Sequence, residues 1–200
     1  MEKKNKNIVL IEFLPIHKEK FKCLVSVTKT KISRVKGIIK YTNDKLISTN
    51  TKTLCCLYLT NIIKEISGEF KEGALYKAIS VFDDSICLVE LNGKELFPDV
   101  LSVMSKKYDK VIKVGNYSGY AISSFNSYLT MLSPNGNDVY DYNLVKPFIK
   151  AVSNNTIDVS FQGNIAKLKS ENIEFYLCKM VHTYETGKNE KKPKRKGTRK

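Results

Sequence analysis

Two stretches of this chain carry apolar residues at the same spacing. Leu96, Phe97, Val100, Leu101 and Met104 follow i, i+1, i+4, i+5, i+8, and Leu144, Val145, Phe148, Ile149 and Val152 repeat the pattern 48 residues later. This spacing returns to one side of a 3.6-residue helix at each turn, so it predicts amphipathic helices over Lys94 to Lys107 and Asn143 to Ser153. Nearer the start, Pro15 can open another helix, the first in chain order, from Ile16 to Thr28, with Phe21, Leu24, Val25 and Thr28 on one face and Lys18, Lys22, Ser26 and Lys29 on the other. Short β-rich runs surround each helix. Ile8 to Phe13 precedes the first, and Gly37 to Tyr41, Lys45 to Thr49 and Leu54 to Leu59 follow it, the first two joined by a turn at Asn43-Asp44. Lys110 to Val114, Tyr120 to Ser123 and Ser127 to Leu132 follow the second helix; Thr156 to Phe161, Ile165 to Lys169 and Ile173 to Cys178 follow the third. A recurring unit of helix and strands restricts the chain to an α+β fold built from repeated modules.

Composition narrows the partners. The chain has 200 residues, 42% of them hydrophobic, enough for one large domain or two smaller ones. Lys and Arg outnumber Asp and Glu 34 to 20, a formal charge of +14, which points to a polyanion such as nucleic acid. Half of that surplus lies in Lys188 to Lys200, where Lys188, Lys191, Lys192, Lys194, Arg195, Lys196, Arg199 and Lys200 face a single acid, Glu190. With no apolar side chain, this tail is expected to be disordered, serving as a nucleic-acid arm, a nuclear-import signal or a solubilising end.

Other classes fit poorly. The apolar run from Ile8 to Ile16 is broken by Glu12 and Pro15, so neither a membrane span nor a signal-peptide core is expected. Five cysteines without C-x-x-C spacing suit neither a disulfide framework nor a zinc site, which suggests a reducing, intracellular setting. His17 and His182 lie far apart, no phosphate-binding glycine loop is present, and Gly115 to Gly119 reads as a hairpin turn. Asp83, Asp84, Asp138 and Asp141 read as loop or cap residues rather than magnesium ligands. We therefore expect no enzyme, no metal and no cofactor.

Both ends of the chain resemble a known family. Asp141 to Leu168 (DYNLVKPFIKAVSNNTIDVSFQGNIAKL), closing on Tyr176 to Val181 (YLCKMV), resembles the C-terminal module of DNA-polymerase sliding clamps of the bacterial, phage and proliferating-cell nuclear antigen types. Lys36 to Leu57 (KGIIKYTNDKLISTNTKTLCCL) is similar to the first hairpin of the bacterial clamp. The resemblance covers about two thirds of the chain and rests on hydrophobic pattern. It implies a viral or phage clamp with antiparallel sheets outside and amphipathic helices lining a hole for duplex DNA. Two domains, 1–92 and 93–186, would precede the tail at 187–200. A two-domain clamp needs four helices, which places the fourth over Ala74 to Asp84 on the spacing of Leu75, Ala78, Ile79 and Phe82, followed by a strand from Ile86 to Leu91.

The resemblance further implies a homotrimeric processivity factor that touches phosphates without reading bases. Lys18, Lys22 and Lys29 on the first helix, Lys106 on the second and Lys146 and Lys150 on the last would contact DNA beside the tail cations. The partners would be double-stranded DNA and a DNA polymerase, with a clamp loader or an RNA polymerase as a further one. The setting would be a bacterial cytoplasm or a viral replication site. Three alternatives remain: a clamp-like viral transcription factor, a fold like the TATA-binding protein (Glu95-Leu-Phe-Pro98), and a single-strand-binding barrel stacking bases on Tyr117, Tyr120, Phe125 and Tyr128.

Overall fold

The computed structural model describes residues 7–29, 37–92, 95–115, 122–152 and 156–180. Strand β1 (Ile8–Phe13) leads into a 3-10 turn at Pro15–His17, where the fixed proline φ suits a first helical turn, and on into α1 (Lys18–Val27). Strands β2 (Ile38–Thr42), β3 (Lys45–Thr49) and β4 (Thr53–Tyr58) follow. Asn43 and Asp44 take φ of 47° and 55°, the left-handed pair that a two-residue hairpin demands. Next come β5 (Ile63–Ser67), β6 (Leu75–Val81) and β7 (Ser85–Glu90), the single-turn α2 (Leu101–Met104) and the short β8 (Ile112–Val114). Two helices, α3 (Ile122–Leu132) and α4 (Tyr142–Ala151), precede β9 (Ile157–Gln162), β10 (Ile165–Ser170) and β11 (Ile173–Cys178). The Asp141 carboxylate caps α4 by accepting from the Asn143 N–H at 2.9 Å, the cap role expected for it.

These strands form one 11-stranded antiparallel sheet in the order β5-β1-β7-β6-β2-β3-β4-β11-β10-β9-β8. The seven strands β1–β7 meet the four strands β8–β11 at the β4–β11 ladder, with Cys55 opposite Phe175. Both strands are buried at five of six positions, which is why they read as nearly unbroken apolar runs. On one face of the sheet α1 and α4 pack against each other. Phe21, Leu24, Val145 and Phe148 are fully buried there with Leu57 and Phe175. Phe148 lies 5.4 Å from Phe175, and the Ser48 hydroxyl ties β3 to α1 by donating to the Leu24 carbonyl at 2.7 Å. The opposite face carries a second core of Ile47, Leu54, Cys56, Ile165 and Tyr176, covered by Phe97, Val100, Val103, Met104 and Tyr108.

The repeat is therefore present, but between the first and last units. Strand, helix and three strands (β1, α1, β2–β4) are matched by β8, α4 and β9–β11, with paired final strands and packed helices. The middle copy is not a module. Among the described residues of the span expected as a helix from Lys94 to Lys107, only Leu101–Met104 is helical: Pro98 has no N–H to give to a helical ladder, and the Asp99 carboxylate accepts from the Leu101 N–H at 3.0 Å, which holds the chain in a turn just before the helix. The spacing would bury Leu96 and Leu101, yet they are 68% and 63% exposed.

Two further expectations are corrected. Ala74 to Asp84 is mostly strand β6, not a helix: its register slips between Ala78 and Ser80, and the extra residue, Ile79, breaks the two-residue alternation into helix-like spacing. Ser127 to Leu132 lies inside α3 rather than a strand, as does the end of Tyr120 to Ser123. Phe125 and Leu129, four residues apart, are buried where α3 meets α4, and this packing overrides a local β preference. Strand β5 had no clear signal. Asn116 to Gly119 and Lys188 to Lys200 lie outside the described residues.

Candidate nucleic-acid interface

The lysines expected to meet DNA fall into unlike groups. On α1, Lys18 is ion-paired with Asp83 and Lys22 with Glu19 at 2.6 Å. The Asp83 contact raises the Lys18 pKa. Lys20, which the helical wheel did not select, is the buried cation of this helix, 3.2 Å from Glu171 in the β10–β11 turn. Each lysine within α1 thus has a carboxylate beside it. Lys29 just beyond α1, and Lys146 and Lys150 on α4, are exposed and have no acidic partner among the described residues. The Lys146 ammonium stands 5.9 Å from the centre of the Tyr142 ring. Lys150 lies in the last turn of α4, where the helix dipole favours a cation. The helical face therefore offers its open charge through α4 and the end of α1.

Lys106 is not in this group. It follows α2, on the segment that covers the opposite face. Lys191, Lys192, Lys194, Arg195, Lys196, Arg199 and Lys200 lie outside the described residues.

The opposite face holds a cavity of about 250 Å³ between this segment and the β4–β11 seam, lined by Leu54, Val100, Val103, Ile165, Tyr176 and Cys178. It is smaller than the roughly 300–1,000 Å³ typical of small-molecule sites. Beside it the Glu174 carboxylate is buried. It accepts from the Tyr176 hydroxyl at 2.7 Å and pairs with Lys167 at 3.3 Å and Lys169 at 3.4 Å. Burial alone would push this carboxyl up, but the hydrogen bond and the two ammoniums outweigh it and hold the pKa below the ordinary value. Lys167 also sits between the Tyr108 and Tyr176 rings, at 5.6 and 5.3 Å from their centres. Burial pushes the Tyr108 phenol up to about 12, so it stays protonated and donates to the Val103 carbonyl at 3.1 Å. These contacts fasten the covering segment to the seam.

Burial pushes the Cys55 and Cys56 thiols up, away from the nucleophilic thiolate. Burial and the Lys20 charge lower the His17 pKa, and its Nδ1 is buried without a partner. Among the described residues no three His, Cys, Asp or Glu side chains converge as a metal site, and no helix is long and apolar enough to cross a membrane. The sequence did not reveal the cavity or Lys20, because the segments that form them are far apart in the chain. The one local signal for the cavity was the apolar run at residues 96–104.

Neither a protein-family profile nor a curated protein matches the chain. Solved structures do. A Helicobacter pylori beta clamp bound to a DNA ligase peptide matches with a TM-score of 0.52 and 12% identity, over 90% of this chain and 68% of that one. The beta subunit of DNA polymerase III from Borrelia burgdorferi gives 0.53 and 13%, over 86% and 64%. That from Thermotoga maritima gives 0.51 and 10%, over 86% and 64%. The chain thus spans about two thirds of the length of these bacterial subunits. Its α+β architecture, with one large antiparallel sheet backing a few helices, is the sliding-clamp fold.

Proposed function

We propose that this chain is a sliding-clamp-like processivity factor for a DNA polymerase, two clamp-like domains (1–92 and 93–186) and a basic tail per chain, closing as a ring of three around duplex DNA. The observation that carries this reading is the helix pair α1–α4 on one face of a continuous sheet, in the fold shared with bacterial clamps. Lys29, Lys146 and Lys150 then meet phosphates, and the tail adds sequence-independent attraction. The protein performs no chemistry of its own. Its seam cavity receives a short partner segment, on the analogy of the Helicobacter pylori clamp with its DNA ligase peptide.

Retention by closure is tested on a nicked circular duplex. Loaded protein should survive a high-salt wash and be lost when the circle is cut. Replacing Lys146 and Lys150 by Glu should impair retention and polymerase processivity even with the tail present. A strict monomer by light scattering, or equal salt sensitivity on linear and circular DNA, refutes the ring.

A further inference from the structure

The part of the sheet built by β5, β1 and β7 has a face that no described segment covers. Val9, Ile11 and Phe13 point into the helix-side core, so Ile8, Leu10 and Glu12 lie on the opposite face of β1, with Cys87 and Val89 of β7 beside them. The segment at residues 95–108 covers a core made only by β3, β4, β10 and β11, and Ile8 stays 56% exposed. At the far end of β1 this face becomes acidic. Glu12 stands directly opposite Glu65 of β5 and, on its other side, opposite Ser85, whose hydroxyl donates to the Asp84 carboxylate at 3.3 Å. All three acids are exposed, and none is ion-paired among the described residues. Like charges directly opposite on paired strands are destabilising, so this edge lacks cations in a chain whose net charge is +14. The lysines of the same face, Lys40 and Lys77, stand on β2 and β6, two or more strands away from β1.

We infer that the acid end of this face receives the basic segment at residues 191–196 (KKPKRK) of the same chain, and that duplex DNA competes with it for those cations. Charge complementarity and reach both support this occupant. Strand β11 ends beside the β3–β4 turn, where the Cys178 N–H donates to the Lys52 carbonyl at 2.9 Å, and the register carries that end of the sheet through Ile38, Lys77 and Val89 to Ile8. Glu12 lies six strands across from β11 and about eight residues along the strand direction from Met180, a separation of roughly 40 Å. Residues 191–196 follow Met180 by 11 to 16 positions, an extended span of about 36–53 Å, so the cations reach the acids without leaving the molecule. Docked there, they offset the Glu12–Glu65 repulsion and are withheld from phosphates. The tail then attracts DNA at the cost of leaving this edge, which tempers its unselective binding. The docking stands apart from the clamp reading; only its consequence for DNA rests on it.

Carbodiimide cross-linking of the full chain, read by peptide mass spectrometry, tests the docking without DNA. In an equal mixture of isotopically light and heavy protein, Lys191, Lys192, Lys194 or Lys196 should couple to Glu12, Glu65 or Asp84 within single chains, and high salt or excess duplex should suppress the products. Tail lysines coupled evenly to exposed acids elsewhere, or light-to-heavy products that put the tail on another copy, overturn the inference. The consequence is read by fluorescence anisotropy with a labelled linear duplex of about 20 base pairs. Glu12→Gln with Glu65→Gln, at two exposed positions, should tighten binding at least threefold at low salt. That gain should vanish in a full chain whose Lys191, Lys192, Lys194, Arg195 and Lys196 are all replaced by Gln. An equal change in both backgrounds, or none in either, means that the acids do not act through the tail, and the inference falls. Retention on circular DNA tests the ring separately, so either reading can fail while the other stands.

Discussion

Replacing Glu174 by Gln isolates the charge of one buried carboxylate at the seam. The amide oxygen can still accept from the Tyr176 hydroxyl, so the variant removes chiefly the pairs with Lys167 and Lys169. At 3.3 Å and an effective dielectric of about 20, a unit pair is worth about 5 kcal/mol before desolvation. Desolvating a carboxylate that is only 6% exposed offsets several kcal/mol of this, and the Lys169 side chain, 49% exposed, is screened to below about 1 kcal/mol. A net loss of about 1–3 kcal/mol at neutral pH follows, or about 3–10 °C in Tm for a chain of this size. The pH dependence has a definite sign. The folded carboxyl titrates below its unfolded value of about 4.3, so its stabilisation is complete above that pH and is lost as pH falls through the folded pKa. Urea unfolding of both proteins from neutral pH to pH 3 should show a gap that closes on acidification. A gap under about 0.5 kcal/mol at neutral pH, or one that persists unchanged in acid, refutes the reasoning.

The Lys20–Glu171 pair should behave asymmetrically in chemical denaturation. Glu171→Ala leaves a buried ammonium unpaired and should cost about 1–3 kcal/mol, reduced from the value for a fully buried pair because Glu171 is 55% exposed; Lys20→Met should be nearly neutral. Gly68 has φ of +96°, and an added Cβ would strike the Ile8 carbonyl oxygen, so Gly68→Ala should lose more than about 1 kcal/mol and loosen β5 from β1, visible as faster amide exchange in Ile63–Ser67.

The legible parts of the fold were those whose alternation and turns agree. Asn43-Asp44 and the apolar runs at residues 54–59 and 173–178 disclosed β2–β4 and β11, because a turn needing left-handed φ and a strand buried on both faces each leave local traces. Ile79 hid β6, since one bulged residue shifts the phase of everything after it. The 96–104 run kept helical spacing, yet Pro98 and Asp99 postponed the helix to Leu101, and its burial comes from the sheet face it covers. Of the site, α4 and its two lysines were readable from a helical wheel. The pairing of Lys18 and Lys20 on α1 was not, because Asp83 and Glu171 come from distant turns. Lys106 had the right residue type on a segment that ends up on the other face.

The β4–β11 ladder also sets a timetable for synthesis. Leu57 of β4 pairs with Ile173 of β11, 116 residues later, so a nascent chain exposes the edge Thr-Leu-Cys-Cys-Leu-Tyr until almost the whole described chain has emerged. An apolar, unpaired edge is a template for the wrong neighbour, and pairing at such separation forms slowly. The first half thus waits with its most adhesive strand open, and a pause or truncation before Ile173 should yield aggregates rather than a folded fragment. Productive folding depends on delivery of the β10–β11 hairpin, which makes the last described strand the keystone of the first half.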